Sequence, residues 1–97
     1  MNIILEVIEK TGKNLLLTSE RWAHIRKDHP EVELEEIERA LIKPINLIKI
    51  NDEKYYYFHY FKHKKISNKL LRVIVKYKSN KWLIMTAHFV HKMHQNE

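Results

Sequence analysis

The chain has no cysteine, one glycine and two prolines among its 97 residues. Without cysteine there are no disulfides and no thiolate metal sites. A single glycine rules out a Gly-rich phosphate-binding loop, and neither a Cys nor a G-x-S-x-G nucleophile is present. No apolar run approaches the ~20 residues of a membrane span. The segment Met1–Glu9 is too short and too acidic for a secretory signal. These absences lead us to expect a cytoplasmic protein, with no membrane anchor, metal or cofactor.

What is present is cation. Lys and Arg number 18 against 12 acids, a formal net charge of +6. Such a balance attracts nucleic acid or an anionic surface. The acids concentrate in Glu31, Glu33, Glu35, Glu36 and Glu38. Residues 54–81 hold nearly all the surplus lysine, interleaved with Tyr55, Tyr56, Tyr57, Phe58, Tyr60 and Phe61. Rings that stack on bases beside lysines that meet phosphates suit RNA. The same composition also suits a lysine-rich surface over an aromatic sheet core.

The length fits one domain, residues 1–97, with a modest core. Residues 3–8 and 15–17 read as two strands around the turn Thr11-Gly12-Lys13-Asn14. A helix follows, capped by Thr18 or Ser19 and closed before Pro30. At helical spacing Trp22, Ile25 and His29 share one face, and Arg21, His24 and Asp28 the next. Trp22 is expected in the core. A second helix runs from about 33 to 43, with Leu34, Ile37, Ala40 and Leu41 as its stripe, and ends at Pro44. Strands are expected at 45–50, 54–62, 70–77 and 82–91, with a tail over 92–97. The expected fold class is α+β: two helices on a four-stranded antiparallel sheet, with the 2–17 hairpin as an extra and 18–91 as the core unit.

Period-2 alternation puts Leu71, Val73, Val75 and Tyr77 on one side of their strand, and Arg72 and Lys76 on the other. In the last strand it puts Leu83, Met85, Ala87 and Phe89 inward, and Ile84, Thr86 and His88 outward. Arg72, Lys76, Thr86 and His88 are thus expected on one open face. For Tyr55, Tyr57 and His59 against Tyr56, Phe58 and Tyr60, alternation alone does not say which set joins it.

RNA cleavage without a metal needs a base for the 2′-hydroxyl, an acid for the leaving 5′-oxygen and a cation for the phosphate. Histidine serves the first two near neutrality, and arginine the third. The candidates are His24, His29 and His88 for proton transfer, Arg72 for phosphate and Thr86 as a hydroxyl donor. Arg21, His59 and Lys76 are candidate RNA contacts. For each histidine the competing assignment is a surface or capping residue. Metal binding is disfavoured: on a strand His88 and His91 point to opposite faces, and only a helical tail would align His91 with His94. There is no H-E-x-x-H pattern.

The run Leu17-Thr18-Ser19-Glu20-Arg21-Trp22-Ala23-His24-Ile25, then His29-Pro30-Glu31, then an acidic helix to Pro44 resembles the phage-encoded nuclease-like families of the barnase/EndoU/colicin/RelE superfold. The strand over 70–77 and the ending Ile84-Met85-Thr86-Ala87-His88 fit the same pattern, so the resemblance spans residues 17–90. More loosely, Lys27-Asp28-His29-Pro30-Glu31-Val32 is similar to BrnT-type toxins, which are RelE-like ribonucleases. The resemblance implies a four-stranded antiparallel sheet with two helices, metal-independent RNA cleavage and a cognate antitoxin as partner. BrnT-type toxins tend to carry arginine where this chain has His88, which hands the cation role to Arg72 or Lys76. Two other functions fit the residues: a non-catalytic RNA-binding domain on the same face, and an interaction domain for an acidic protein.

Overall fold

A computed structural model describes residues 2–93. The chain order is β1 (Ile3–Ile8), β2 (Asn14–Thr18), α1 (Ser19–Asp28), α2 (Leu34–Ile42), β3 (Asn46–Asn51), β4 (Lys54–Tyr60), β5 (Leu70–Lys78) and β6 (Lys81–Val90). The expected tail beyond Met93, with His94, lies outside the described residues.

The helices start and stop where local chemistry dictates. The Thr18 hydroxyl accepts from Arg21 N at 3.1 Å and caps α1. His29 closes it through its own N–H to the Ile25 carbonyl, one residue before Pro30. Glu33 and Glu36 form a reciprocal capping box on α2. Lys43 closes α2 ahead of Pro44.

The four-stranded antiparallel sheet with a separate hairpin is corrected. All six strands form one mixed sheet in the order β1-β2-β6-β5-β4-β3. The β1–β2 hairpin joins through a short parallel ladder, Leu15 to Trp82 and Leu16 to Leu83. The reason is burial: Val7, Leu15 and Leu17 belong to the same core as Val73, Val75 and Ala87. A detached hairpin would leave those side chains in water, at ~1.5–3 kcal/mol each.

One face of the sheet, the helix face, carries that core. Ile25 of α1 and Ile37, Ala40 and Leu41 of α2 pack there on Tyr57, Leu71, Val73, Val75, Ile84 and Phe89. The far face carries a smaller cluster of Tyr56, Phe58 and Val90, flanked by Ile48, Ile50, Leu70 and Ile74. The register settles the β4 alternation: Tyr55, Tyr57 and His59 face the helices, and Tyr56, Phe58 and Tyr60 face away with Arg72.

Two further expectations are corrected. Trp22 is only half-buried at the border of the core, with Arg26 across its ring at 5.6 Å. Ile25, one turn later, is the fully buried anchor of α1. In β6 strict alternation fails at a bulge: Ile74 pairs with Thr86, but Val75 pairs with Ile84, so Met85 is the extra residue. Ala87 and Phe89 do face the core, but Ile84 joins them there in place of Met85 and Leu83.

Candidate functional site

The bulge decides what the far face presents. Past Met85, Thr86 and His88 lie on the side of Ile74 and Arg72. Arg72 and His88 are direct cross-strand partners. The Arg72 Nη2 lies 2.8 Å from His88 Nε2. A guanidinium can only donate, so Nε2 accepts and the ring carries its proton on Nδ1. The Arg72 guanidinium also sits 5.0 Å from the Tyr56 ring centroid, and Arg72 is only 4% exposed.

The third member arrives from α1. Beyond the two-residue ladder with β2, α1 packs against β6 and β2. It straddles the flank of the sheet, with Ile25 in the helix-face core and its closing residue, His29, reaching round to His88. The two imidazoles stack with centroids 4.9 Å apart and planes 21° from parallel. His29, His88 and Arg72 therefore form one contiguous group.

The other candidates are more dispersed. Thr86 is half-buried and diagonal to Arg72 across the ladder, at ~7–8 Å. Lys76 is exposed on the same face, four residues along β5, or ~13 Å. His24 is exposed, ~7.5 Å of helix axis before His29. Arg21 is half-buried and lines a hollow of about 290 Å³ beside the β5–β6 turn. His59 is on the helix face, opposite Leu71, where its Nδ1 donates to the Lys43 carbonyl at 2.8 Å. It stabilises the end of α2 and cannot share a ligand with Arg72 across the sheet.

Lysines on the far face follow the same alternation. Lys54 and Lys76 pair on adjacent strands, and Lys54 lies over the Tyr56 ring at 5.7 Å. Lys64 of the basic loop is committed elsewhere. It pairs with Glu36 at 3.1 Å and donates to the Glu31 carbonyl at 2.7 Å. Among the described residues no three His, Cys, Asp or Glu side chains are arranged to hold a metal ion.

Sequence reasoning missed one charged group, Glu9. It is 3% exposed and sits on the helix-face side of the β1–β2 turn. Its carboxylate accepts from Thr11 N at 2.6 Å, Thr11 Oγ1 at 2.5 Å, Lys13 N at 2.8 Å and the Tyr57 hydroxyl. Burial pushes the carboxyl upward, but the hydrogen bonds from Thr11, Tyr57 and Lys13 outweigh it, and its pKa is lowered. Burial and the adjacent carboxylate push the Tyr57 hydroxyl well above its ordinary range. The available clue was an acid two residues before Thr11 in a turn closed by Gly12, whose φ of 99° only glycine adopts without strain.

No helix among the described residues is long and apolar enough to cross a membrane. Compared with family models, with curated proteins and with solved structures, the chain gives no match.

Proposed function

We propose that this chain is a metal-independent endoribonuclease of toxin-like character, acting in the cytoplasm on RNA. The observation that carries the reading is the group His29–His88–Arg72, two stacked imidazoles with a guanidinium bonded to one of them. It supplies the three functions that 2′-hydroxyl attack requires. Arg72 takes the scissile phosphate and, in turning to it, releases the Nε2 lone pair of His88. That nitrogen takes the 2′-hydroxyl proton while the 2′-oxygen bonds to phosphorus. The bond to the 5′-oxygen breaks, and a protonated His29 gives that oxygen its proton. The products are a 2′,3′-cyclic phosphate and a 5′-hydroxyl. Thr86 is near enough to donate to a phosphate oxygen, and Lys54 and Lys76 supply charge along the strand. A cognate antitoxin that silences this chemistry would cover the same cationic face.

The test is cleavage of RNA in EDTA, with the cyclic phosphate identified in the product. His88→Ala and Arg72→Ala should each lose ~10²-fold or more in rate, with far-UV circular dichroism unchanged. The near-complete burial of Arg72 favours a second reading, in which the same group only shapes a non-catalytic RNA-binding face. That reading gives salt-dependent RNA binding and no cyclic product.

A further inference from the structure

The hollow beside the β5–β6 turn takes no part in the chemistry above. Leu16, Leu83 and Met85 contribute its apolar lining, and Arg21, Lys78 and Lys81 its cations. Glu20 is the one acid among the lining residues. At about 290 Å³ it is near the ~300 Å³ lower end of small-ligand sites.

Its charge arrangement is unfavourable as it stands. Lys78 and Lys81 are direct cross-strand partners, and like charges in that position repel. The turn that joins them holds Ser79 at φ 53° and Asn80 at φ 63°, left-handed conformations that are strained for serine. Arg21 enters the same hollow from α1. Among the described residues none of these three cations forms an ion pair. An anion bound between them would relieve the repulsion, and the apolar lining beside them suits a flat, largely apolar group attached to that anion.

The hollow also lies on the face of Arg72 and His88. Leu83 pairs with Lys76, which alternates onto that face. Leu83 lies opposite Lys76 and His88 opposite Arg72, four residues apart along β5, which puts Leu83 ~13 Å from His88 and Met85 nearer. Thr86 and Ile74 lie between. We propose that this hollow is a nucleotide subsite, holding the base and phosphate of an RNA residue a few nucleotides from the phosphate at Arg72. It rests on the reading of this face as an RNA surface. The base lies on Leu16, Leu83 and Met85, and the phosphate meets Arg21, Lys78 and Lys81.

The test uses the full chain with methyl labels and adenosine 5′-monophosphate as probe. The Leu16, Leu83 and Met85 methyl resonances should move on titration, and inorganic phosphate alone should move them much less. In an Arg21→Ala/Lys81→Ala variant the apparent Kd for the nucleotide should rise about tenfold. In that variant the ratio of kcat/KM on a hexanucleotide to that on a dinucleotide should fall about tenfold as well. Methyls that stay still overturn the subsite, whatever the cleavage assay shows. Equal shifts from phosphate alone leave an anion site only and also overturn it. Moving methyls in a protein that cleaves no RNA uphold the subsite and remove the ribonuclease reading instead.

Discussion

Replacing Glu9 with Gln removes one buried charge while keeping the side-chain shape. Four donor groups converge on the carboxylate, two from Thr11, one from Lys13 and one from Tyr57. The amide can keep the geometry, with its oxygen on the turn and its nitrogen toward the Tyr57 oxygen. What goes is the charge assistance: a bond to a charged group contributes ~1.5–3 kcal/mol and a neutral one ~0.5–1.5. The four bonds share one carboxylate and do not add, so the expected cost is about 2–3 kcal/mol. At roughly 4–8 °C per kcal/mol for a domain this size, Glu9→Gln should melt about 10–20 °C lower at neutral pH. The pH dependence has a definite sign. The carboxyl is lowered in the folded state from an ordinary value of 4.5, so the unfolded chain takes up the proton first. The stabilisation is complete above the ordinary value and is lost as pH falls through the folded one. Thermal melts of both proteins from pH 7 to pH 3 should show a constant gap that narrows once pH drops below 4.5. A Gln variant within ~2 °C of the parent at neutral pH would refute this account of the turn, as would a gap indifferent to acid.

Two further outcomes follow from burial and register. Trp22→Ala should cost about 1–3 kcal/mol in urea unfolding, below the ~3–5 of a fully buried tryptophan, because Ile25 and not Trp22 anchors α1. A loss of ~4–5 kcal/mol would refute this and put the ring among fully buried tryptophans. Lys76→Ala should weaken RNA binding and lower its salt slope by about one, whereas Lys64→Ala, already paired with Glu36, should leave the slope unchanged. Equal slopes for the two variants would place the RNA elsewhere.

Much of the local structure is legible in the residues themselves. Thr18, Glu33, Pro30 and Pro44 mark the helix limits because capping and proline sterics act within a few residues. Each strand is visible for the same reason. The order of strands is not, since β2 meets β6 across more than sixty residues and nothing in the Leu15–Leu17 run names its partner. The bulge is hidden because Leu83, Ile84 and Met85 are all apolar, and either phase of the alternation buries a hydrophobic side chain. For the candidate site, alternation put Thr86 and His88 on the face of Arg72 only because the bulge precedes both of them in β6. The choice between His24 and His29 depended on how α1 meets the edge of β6, which helical periodicity does not encode. Glu9 reads as an ordinary turn residue until β4 brings the Tyr57 hydroxyl to it.

The two-residue ladder between β2 and β6 has a consequence for how the molecule assembles. Strands β3 to β6 form a meander in which each strand pairs with its neighbour in sequence, a low-contact-order unit that can form early. The β1–β2–α1 segment is synthesised first, but its pairing into the sheet forms only once β6 exists, because its strand partner is Trp82–Leu83. His29 belongs to that early segment and His88 to the late strand, so the stacked imidazoles form only at this closing step. A nascent chain therefore carries every strand up to β5 without a completed site. If the group cuts RNA, the ribosome and its message are exposed to it only after the strand bearing His88 has emerged and folded.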